Sequence, residues 1–494
     1  MEKKYSENAL NFFKQHGVLI GENEVIARRD VSPVALLEIQ REYKGSIQPR
    51  FVSDEAFEEQ LTDIKQHHAS ASRQIADNMD ASVDLMALTE EIPDNEDVLD
   101  TAENSPVIRL INAILAEAVK EKASDIHIET FEKTLVIRFR IDGVLIPVLQ
   151  PARKLSAMLI SRIKVMARLD IAEKRLPQDG RISLRLGSRT IDVRVSTIPA
   201  RHGERIVMRL LDKTNLSFGL AELGMASDEL TRLKQQIQQP HGIILVTGPT
   251  GSGKSTTLYA MLSALNSDER NILTVEDPVE YELEGIGQTQ VNSAVDMTFA
   301  RGLRAILRQD PDVVMIGEIR DSETAKIAVQ ASLTGHLVLS TLHTNSACGA
   351  VTRLQDMGVE PYLIASSLTG VLAQRLVRRL CPVCRIARPV SAYEKALLPA
   401  AEPAPSQFWH PQGCERCRHS GYQGRIAIHE VITIDPALRR AIGESQGESA
   451  METLLRQQAR SLRQNGLLRV MQGDTSLEEV LRVTAEQAFS GEQV

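Results

Sequence analysis

The chain has 494 residues and a formal net charge of -8, with an apolar content of 43%. This is more than one hydrophobic core holds, so two to four domains are expected, and the acidic balance argues against nucleic-acid binding by the chain as a whole. No apolar run approaches the roughly eighteen residues a membrane span needs, and the acid-bearing N-terminus is no signal peptide, so the expected location is the cytosol, where the five cysteines suit a metal better than disulfides.

Residues 1 to about 80 read as a small mixed domain. Phe51-Val52-Ser53-Asp54-Glu55 marks a strand end leading into a helix with Ser53 as N-cap, and the region suits either partner docking or plain stabilisation. From Asp84 to Glu103 there are eight acidic residues, no lysine or arginine, and Pro93, a composition expected of a linker at 81–104. Ser105-Pro106 then opens a helical stripe, Val107, Ile108, Ile111, Ile114, Leu115 and Ala118. Short alternating segments follow, with turns at Asp142-Gly143 and Gln178-Asp179-Gly180, so an α+β domain on an antiparallel sheet is expected over 105–212. Arg194 and Arg209 occupy polar positions of its apolar strands. Alternation puts them on a solvated face, while arginines beside a nucleotide domain also suit phosphate contacts.

After a connector at 213–228, segments of strand and helix character alternate, which predicts a mainly parallel sheet covered on both faces. The apolar run Ile243–Val246 leads into Gly248-Pro249-Thr250-Gly251-Ser252-Gly253-Lys254-Ser255-Thr256 and then into a helical run. In such a phosphate loop the glycines shape a nest of N–H donors at a helix N-terminus, Lys254 reaches the β/γ-phosphates and Ser255 completes a magnesium shell. A nucleoside triphosphate is the expected ligand.

Two later segments end apolar strands in carboxylates: Thr274-Val275-Glu276-Asp277-Pro278-Val279-Glu280, and Val313–Ile316 followed by Gly317-Glu318-Ile319-Arg320-Asp321. Magnesium ligation or the orientation of an attacking water calls for acids there. The strand between Gly335-His336 and His343-Thr344-Asn345 has a histidine at each end, suited to sensing the γ-phosphate or to a simple backbone hydrogen bond. Cys381-Pro382-Val383-Cys384 and Cys414-Glu415-Arg416-Cys417, separated by 29 residues, offer four thiolates, a closed ligand set for structural zinc. Cys348 reads as a small buried apolar residue. Arg375, Arg378, Arg379, Arg385, Arg388, Arg416, Arg418 and Arg425 surround the pairs as a basic surface that offsets thiolate charge or meets an anionic partner.

The order of these segments, from about Ser105 to the C-terminus, resembles the secretion ATPases of type II secretion and type IV pilus assembly. The short N-terminal region and the ending Thr475-Ser476-Leu477-Glu478-Glu479-Val480-Leu481-Arg482-Val483-Thr484 favour the type II branch, and the tetracysteine element sets the chain apart from the retraction ATPases. The resemblance implies a RecA-like nucleotide domain over 229–494 with a zinc element at 380–425, preceded by a PAS-like α+β domain. It implies ATP and Mg2+ at Lys254 and Ser255, an Asp box of Glu276, Asp277 and Glu280 with Glu280 as the water-activating base, Glu318 as the Walker B carboxylate, and His336 and His343 as a sensing His box. It further implies nucleotide contacts from Arg194 and Arg209, with Arg304, Arg308 and Arg320 held more loosely, in a homo-hexamer that hydrolyses ATP to drive pseudopilus assembly. Such a motor is peripheral on the inner membrane, docked through residues 1–80 on a GspL-like protein, with a GspF-like platform and acidic phospholipid as further partners. The competing readings are a type IV pilus assembly ATPase of the PilB kind and a nucleic-acid-stimulated motor that grips DNA or RNA with its basic zinc element; a non-enzymatic ring scaffold fits poorly with intact Glu280 and Glu318.

Overall fold

Two hydrophobic patterns in the chain build two kinds of sheet. The computed structural model describes residues 18–20, 25–28, 31, 49–52, 106–186, 189–212, 219–398 and 405–485, and it divides into a unit spanning Met1–Thr214 and a unit spanning Asn215–Val494. The expected helix cap at Ser53 and the acidic stretch Asp84–Glu103 lie outside the described residues.

In the first unit, β1 (Val18–Ile20) pairs antiparallel with β2 (Val25–Arg28), and β2 pairs parallel with β3 (Pro49–Val52). The helix Pro106–Lys120 starts with proline, whose missing N–H is no loss at a helix start, and buries the stripe from Val107 to Ala118. Its partner is a six-stranded antiparallel sheet of β4 (Asp125–Thr130), β5 (Leu135–Ile141), β6 (Val144–Leu149), β7 (Gln178–Leu186), β8 (Arg189–Ala200) and β9 (Gly203–Asp212), in the order β6-β5-β4-β9-β8-β7. Strand alternation sends Ile126, Ile128, Phe139, Val193 and Val195 into one core with this helix and with Leu159 and Ile163 of the helix Ser156–Met166. The β5–β6 turn places Asp142 at φ 49° and Gly143 at φ 85°, the left-handed pair that a two-residue hairpin demands.

The second unit carries unbroken apolar strands because its sheet is covered on both faces. It contains β10 (Gly242–Thr247), β11 (Ile272–Glu276), β12 (Gly287–Gln290), β13 (Val313–Ile316), β14 (Leu337–Leu342), β15 (Leu368–Leu380), a separate hairpin of β16 (Ile386–Pro389) and β17 (Gln407–His410), and β18 (Tyr422–Thr433). The seven-stranded sheet runs β12-β11-β13-β14-β10-β15-β18, parallel except for β18. Alternate positions such as Ile243, Leu245, Val275 and Val314 pack beneath the helices Phe299–Ile306, Ser322–Leu333 and Ala347–Asp356. Their neighbours Ile244, Val246, Ile272 and Met315 pack against the helices Ser227–Ile237 and Lys254–Leu265. The connector expected at 213–228 thus contains a 3-10 turn at Leu220–Leu223 and turns α-helical at Ser227. Two C-terminal helices, Leu462–Met471 and Leu477–Thr484, close over Val377 of β15 and Ile428 of β18.

Candidate nucleotide site and tetracysteine cluster

Because β10, β11, β13 and β14 are parallel, everything that follows them emerges at one edge of the sheet, where ligands of such sheets bind. The phosphate loop leaves β10 there, with Gly251 at φ 78° and Gly253 at φ 89°, and Gly253 caps the helix that begins at Lys254. Lys254 is buried, its Nζ donating to the carbonyls of Gly248 at 2.8 Å and Pro249 at 3.1 Å. Burial lowers its pKa to about 8, against the opposing pull of Glu318 and with a smaller push from the Arg375 cation. Ser255 and Thr256 open the helix as exposed hydroxyls, and Pro249, Thr250 and Gly251 form the exposed rim of the loop.

Sequence reasoning passed over Gln374. This buried β15 side chain donates to the Ser252 carbonyl at 2.7 Å and accepts from Thr257 Oγ1 at 2.7 Å, so it pins both the loop and the first turn of the helix. Side chains at Gly248 and Gly253 would collide with Gln374, the added Cβ lying 2.5 Å from its carbonyl and 2.7 Å from its Nε2. The available signal was a glutamine interrupting the apolar run Val371-Leu372-Ala373.

Glu318 follows β13 and forms a hydrogen-bonded ion pair with Arg320, while its second oxygen lies 3.2 Å from His343 Nε2. Burial opposes ionisation of Glu318, but the Arg320 hydrogen bond and charge, with His343, outweigh it and hold the carboxyl below its usual range. Arg320 also reaches Asp277 at 3.5 Å, so one guanidinium ties together the acids that follow β11 and β13. Asp321 instead caps the helix Ser322–Leu333 by accepting from the Thr324 N–H at 2.8 Å. Arg304 pairs with Glu323 at 2.7 Å, and Arg308 donates to the Arg304 carbonyl at 2.8 Å.

Two of the expected site residues make their described contacts away from the phosphate loop. Glu276, expected in the magnesium and Asp-box set, is buried, and its carboxylate accepts from Thr274 Oγ1 at 2.7 Å, Gln288 Nε2 at 2.9 Å and the Tyr259 hydroxyl. Its last position in β11 turns it into the sheet, whereas Asp277 and Glu280 lie on the segment beyond. His336, expected to touch nucleotide, precedes β14: its carbonyl accepts from the N–H of Gly242, the first residue of β10, at 3.1 Å. It therefore lies at the opposite edge from the phosphate loop, about 20 Å away along a six-residue strand. Its ring Nδ1 sits 2.9 Å from the Ala331 carbonyl and closes a helix end. His336→Ala should leave kcat and KM within about twofold, whereas His343→Ala should lower kcat about tenfold, as steady-state ATP hydrolysis by the two variants will tell.

In the first unit, register aligns Arg181, Arg194, Arg209, Asp125 and Arg140 directly across five neighbouring strands. Arg209 Nε lies 3.0 Å from Asp125 Oδ1 and Arg140 Nε 3.7 Å from Asp125 Oδ2. Arg194 and Arg209 thus belong to a cationic row, which also takes in Arg181, a residue absent from the sequence candidates.

The cysteines converge although 29 residues separate the pairs. Cys381, Cys384, Cys414 and Cys417 keep their sulfurs within 4.8 Å of one another, with Cys384–Cys417 and Cys414–Cys417 at 3.7 Å and Cys381–Cys414 at 4.0 Å. Tetrahedral zinc with Zn–S near 2.3 Å needs sulfurs about 3.8 Å apart, so the cluster fits this ion. The backbone N–H groups of Cys414 and Gly421 each donate to Cys417 Sγ at 3.2 Å, as the sulfurs of such sites commonly accept. The basic surface is partly engaged: Arg378 stacks 4.1 Å from the Tyr422 ring centroid and pairs with Glu479 at 2.7 Å, and Arg385 stacks 4.5 Å from that of Trp409. Arg379, Arg388, Arg416 and Arg425 are exposed.

Among the described residues no helix is long and apolar enough to cross a membrane. Residues 100–482 match the family model for type II/IV secretion system proteins, and residues 11–64 match the model for an N-terminal domain of GSPII protein E. The chain is 58% identical to the type II secretion system protein E of Aeromonas hydrophila over 479 residues, 96% of each chain. It is 60% identical to the type II secretion system ATPase E of Vibrio cholerae over 457 residues, 92% of this chain and 91% of the relative. Among solved structures, the pilus retraction motor PilT with bound ADP matches with a TM-score of 0.53 and 26% identity over 76% of this chain and 96% of PilT. The Legionella pneumophila ATPase DotB shares the fold, with a TM-score of 0.58 and 23% identity over 76% of this chain and 95% of DotB. The chain belongs to the type II/IV secretion system protein family and, with a protein E-type N-terminal domain joined to this nucleotide fold, is a secretion ATPase of the type II branch.

Proposed function

We propose that the chain hydrolyses ATP to drive pseudopilus assembly and protein export in type II secretion, working as a homo-hexamer at the cytoplasmic face of the inner membrane. The observation that carries the reading is the convergence at one sheet edge of Lys254, the segment bearing Glu280, and Glu318 with His343 and Arg320. Lys254 binds the β/γ-phosphates and the loop amides cradle them. Glu280 orients the attacking water and accepts its proton, while Arg320 and His343 keep Glu318 ionised and aimed.

The donor set suits magnesium, since Ser255 is an exposed hydroxyl and Glu318 an ionised carboxylate. Ser255 and Glu318 would hold the ion, which when bound neutralises charge on the transferring phosphoryl group. Glu276 supports the Glu280 segment from within the sheet. Zinc at Cys381, Cys384, Cys414 and Cys417 has a structural role, because four thiolates leave no position open for water. The cationic row of Arg181, Arg194 and Arg209 suits an anion such as the nucleotide's polyphosphate. Residues 1–80 dock on a GspL-like inner-membrane protein, and a GspF-like platform protein receives the mechanical output.

The test is ATP turnover by the full-length protein alone, with the cytoplasmic domain of a GspL-like protein plus acidic phospholipid, and with single-stranded DNA. Stimulation by partner and lipid, lost in Lys254→Ala, is the expected result. Stimulation by DNA alone would instead establish a nucleic-acid motor.

A further inference from the structure

The helix that leaves the phosphate loop makes a second contact that bears on the reaction. Tyr259 stands five residues beyond Lys254 on the helix Lys254–Leu265 and is 1% exposed. Its hydroxyl donates to Glu276 Oε2, and its oxygen accepts the backbone N–H of Glu280 at 3.2 Å and that of Tyr281 at 3.5 Å. A phenol has one proton and two lone pairs, so all three are used. Burial, then the hydrogen bond and charge of Glu276, push the Tyr259 pKa far above its usual value, which keeps the hydroxyl a neutral donor and fixes the direction of the chain of hydrogen bonds.

The rest of the network faces the same segment. Gln288 of β12 donates to Glu276 and, at 2.9 Å, to the Tyr281 carbonyl, and accepts from the Leu283 N–H at 2.8 Å. The rings of Tyr259 and Tyr281 meet edge to face, 6.0 Å between centroids. A phenylalanine would fill the core at position 259 as well as tyrosine does, so packing alone leaves the hydroxyl unexplained. What the hydroxyl adds is a rigid connection: the helix that begins with the phosphate-binding Lys254 holds the backbone of Glu280.

We propose that Tyr259 is a positioning residue for hydrolysis, setting Glu280 at a fixed place relative to the phosphates through its hydrogen bonds to the Glu280–Tyr281 backbone. The proposal rests on the reading of Glu280 as the water-orienting base. Without the hydroxyl the Glu280–Tyr281 backbone loses these hydrogen bonds to the helix while the ring contact stays, and displacements of about 1 Å near reacting atoms cost up to a hundredfold in rate. Substrate affinity, set by the loop amides and Lys254, is untouched.

The experiment is a double-mutant cycle on ATP turnover by the full-length protein, with thermal melting to verify folding. Tyr259→Phe should lower kcat roughly tenfold with KM unchanged within about twofold. Glu280→Gln should lower kcat about a hundredfold or more, and adding Tyr259→Phe to it should change kcat by less than about twofold, since nothing remains to be positioned. Gln288→Met, which loosens Glu276 and Tyr281, should show the same dependence on Glu280 and decides the matter if Tyr259→Phe fails to fold. A Tyr259→Phe protein with wild-type kcat, or a loss carried in full into the Glu280→Gln background, would overturn the positioning role and leave the Glu280 reading standing. Wild-type turnover in Glu280→Gln would overturn that reading and the inference with it.

Discussion

Glu318→Gln should lower ATP turnover by about a hundredfold or more while the affinity for a non-hydrolysable ATP analogue stays within a few-fold. The amide matches the carboxylate in shape and can still accept from Arg320, so the fold at the end of β13 survives. What disappears is the negative charge that Arg320 and His343 hold in place and that would meet magnesium on the transferring phosphoryl group. The substitution also has a pH signature. In the wild type, burial lowers the Lys254 pKa to about 8 and Glu318 partly offsets this. Only the protonated lysine attracts phosphate, so affinity should fall as pH rises through the lysine's pKa, and without Glu318 that fall should begin at lower pH. A fluorescent analogue titrated across pH 6.5 to 9 measures the shift, and rapid-quench turnover measures the rate. Full turnover by Glu318→Gln would rule out the catalytic assignment.

Stripping metal from the tetracysteine cluster should produce a separate, earlier melting transition confined to about residues 381–421. A structural zinc site contributes its binding energy directly to folding, and the described residues between the two cysteine pairs add only a two-stranded hairpin, the short helix Ala392–Ala396 and a few apolar side chains, Phe408 the most buried of them. Unfolding should stop at Val377, which is buried in a core that takes Phe408 from the segment but keeps Ile428, Leu467, Val470 and Val480 when Phe408 leaves. Gln374 lies three residues further back along β15, so its grip on Ser252 and Thr257 should persist and nucleotide affinity should change by less than a few-fold. Metal analysis, chelator-dependent calorimetry and hydrogen exchange over 381–421, with Cys414→Ser as the covalent counterpart, test this. A protein without zinc, or one whose melting ignores chelation, would remove the metal from the account. A large loss of nucleotide affinity would mean that strain travels along β15 after all.

Local pattern was enough for much of the second unit. The P-loop residues state their own geometry, because positive φ at Gly251 and Gly253 is a local requirement that glycine meets without steric cost. The apolar runs at Ile243–Val246 and Val313–Ile316 were recognisable as strands covered on both faces, and the acids after them as strand-end residues. The cysteine pairs identified themselves by spacing, although only the fold shows the sulfurs brought within bonding range of one ion.

What sequence could not decide was direction. His336 and His343 flank the same strand and look equivalent in the chain, yet parallel pairing of β10 and β14 puts one at the phosphate edge and the other at the far edge. Glu276 and Asp277 are adjacent, yet strand alternation turns the first into the hydrogen bonds of Tyr259, Thr274 and Gln288 and leaves the second outside. Gln374, Tyr259 and Arg181 had no motif to mark them, because each matters through a neighbour distant in the chain: Ser252, Glu280 and Arg194. Residue type and spacing therefore determined the family of this protein and marked its phosphate loop and its tetracysteine set, since these depend on chemistry written within a few residues. Sheet order and register decided which of the chemically suitable residues share one edge, since that depends on pairings between strands tens of residues apart.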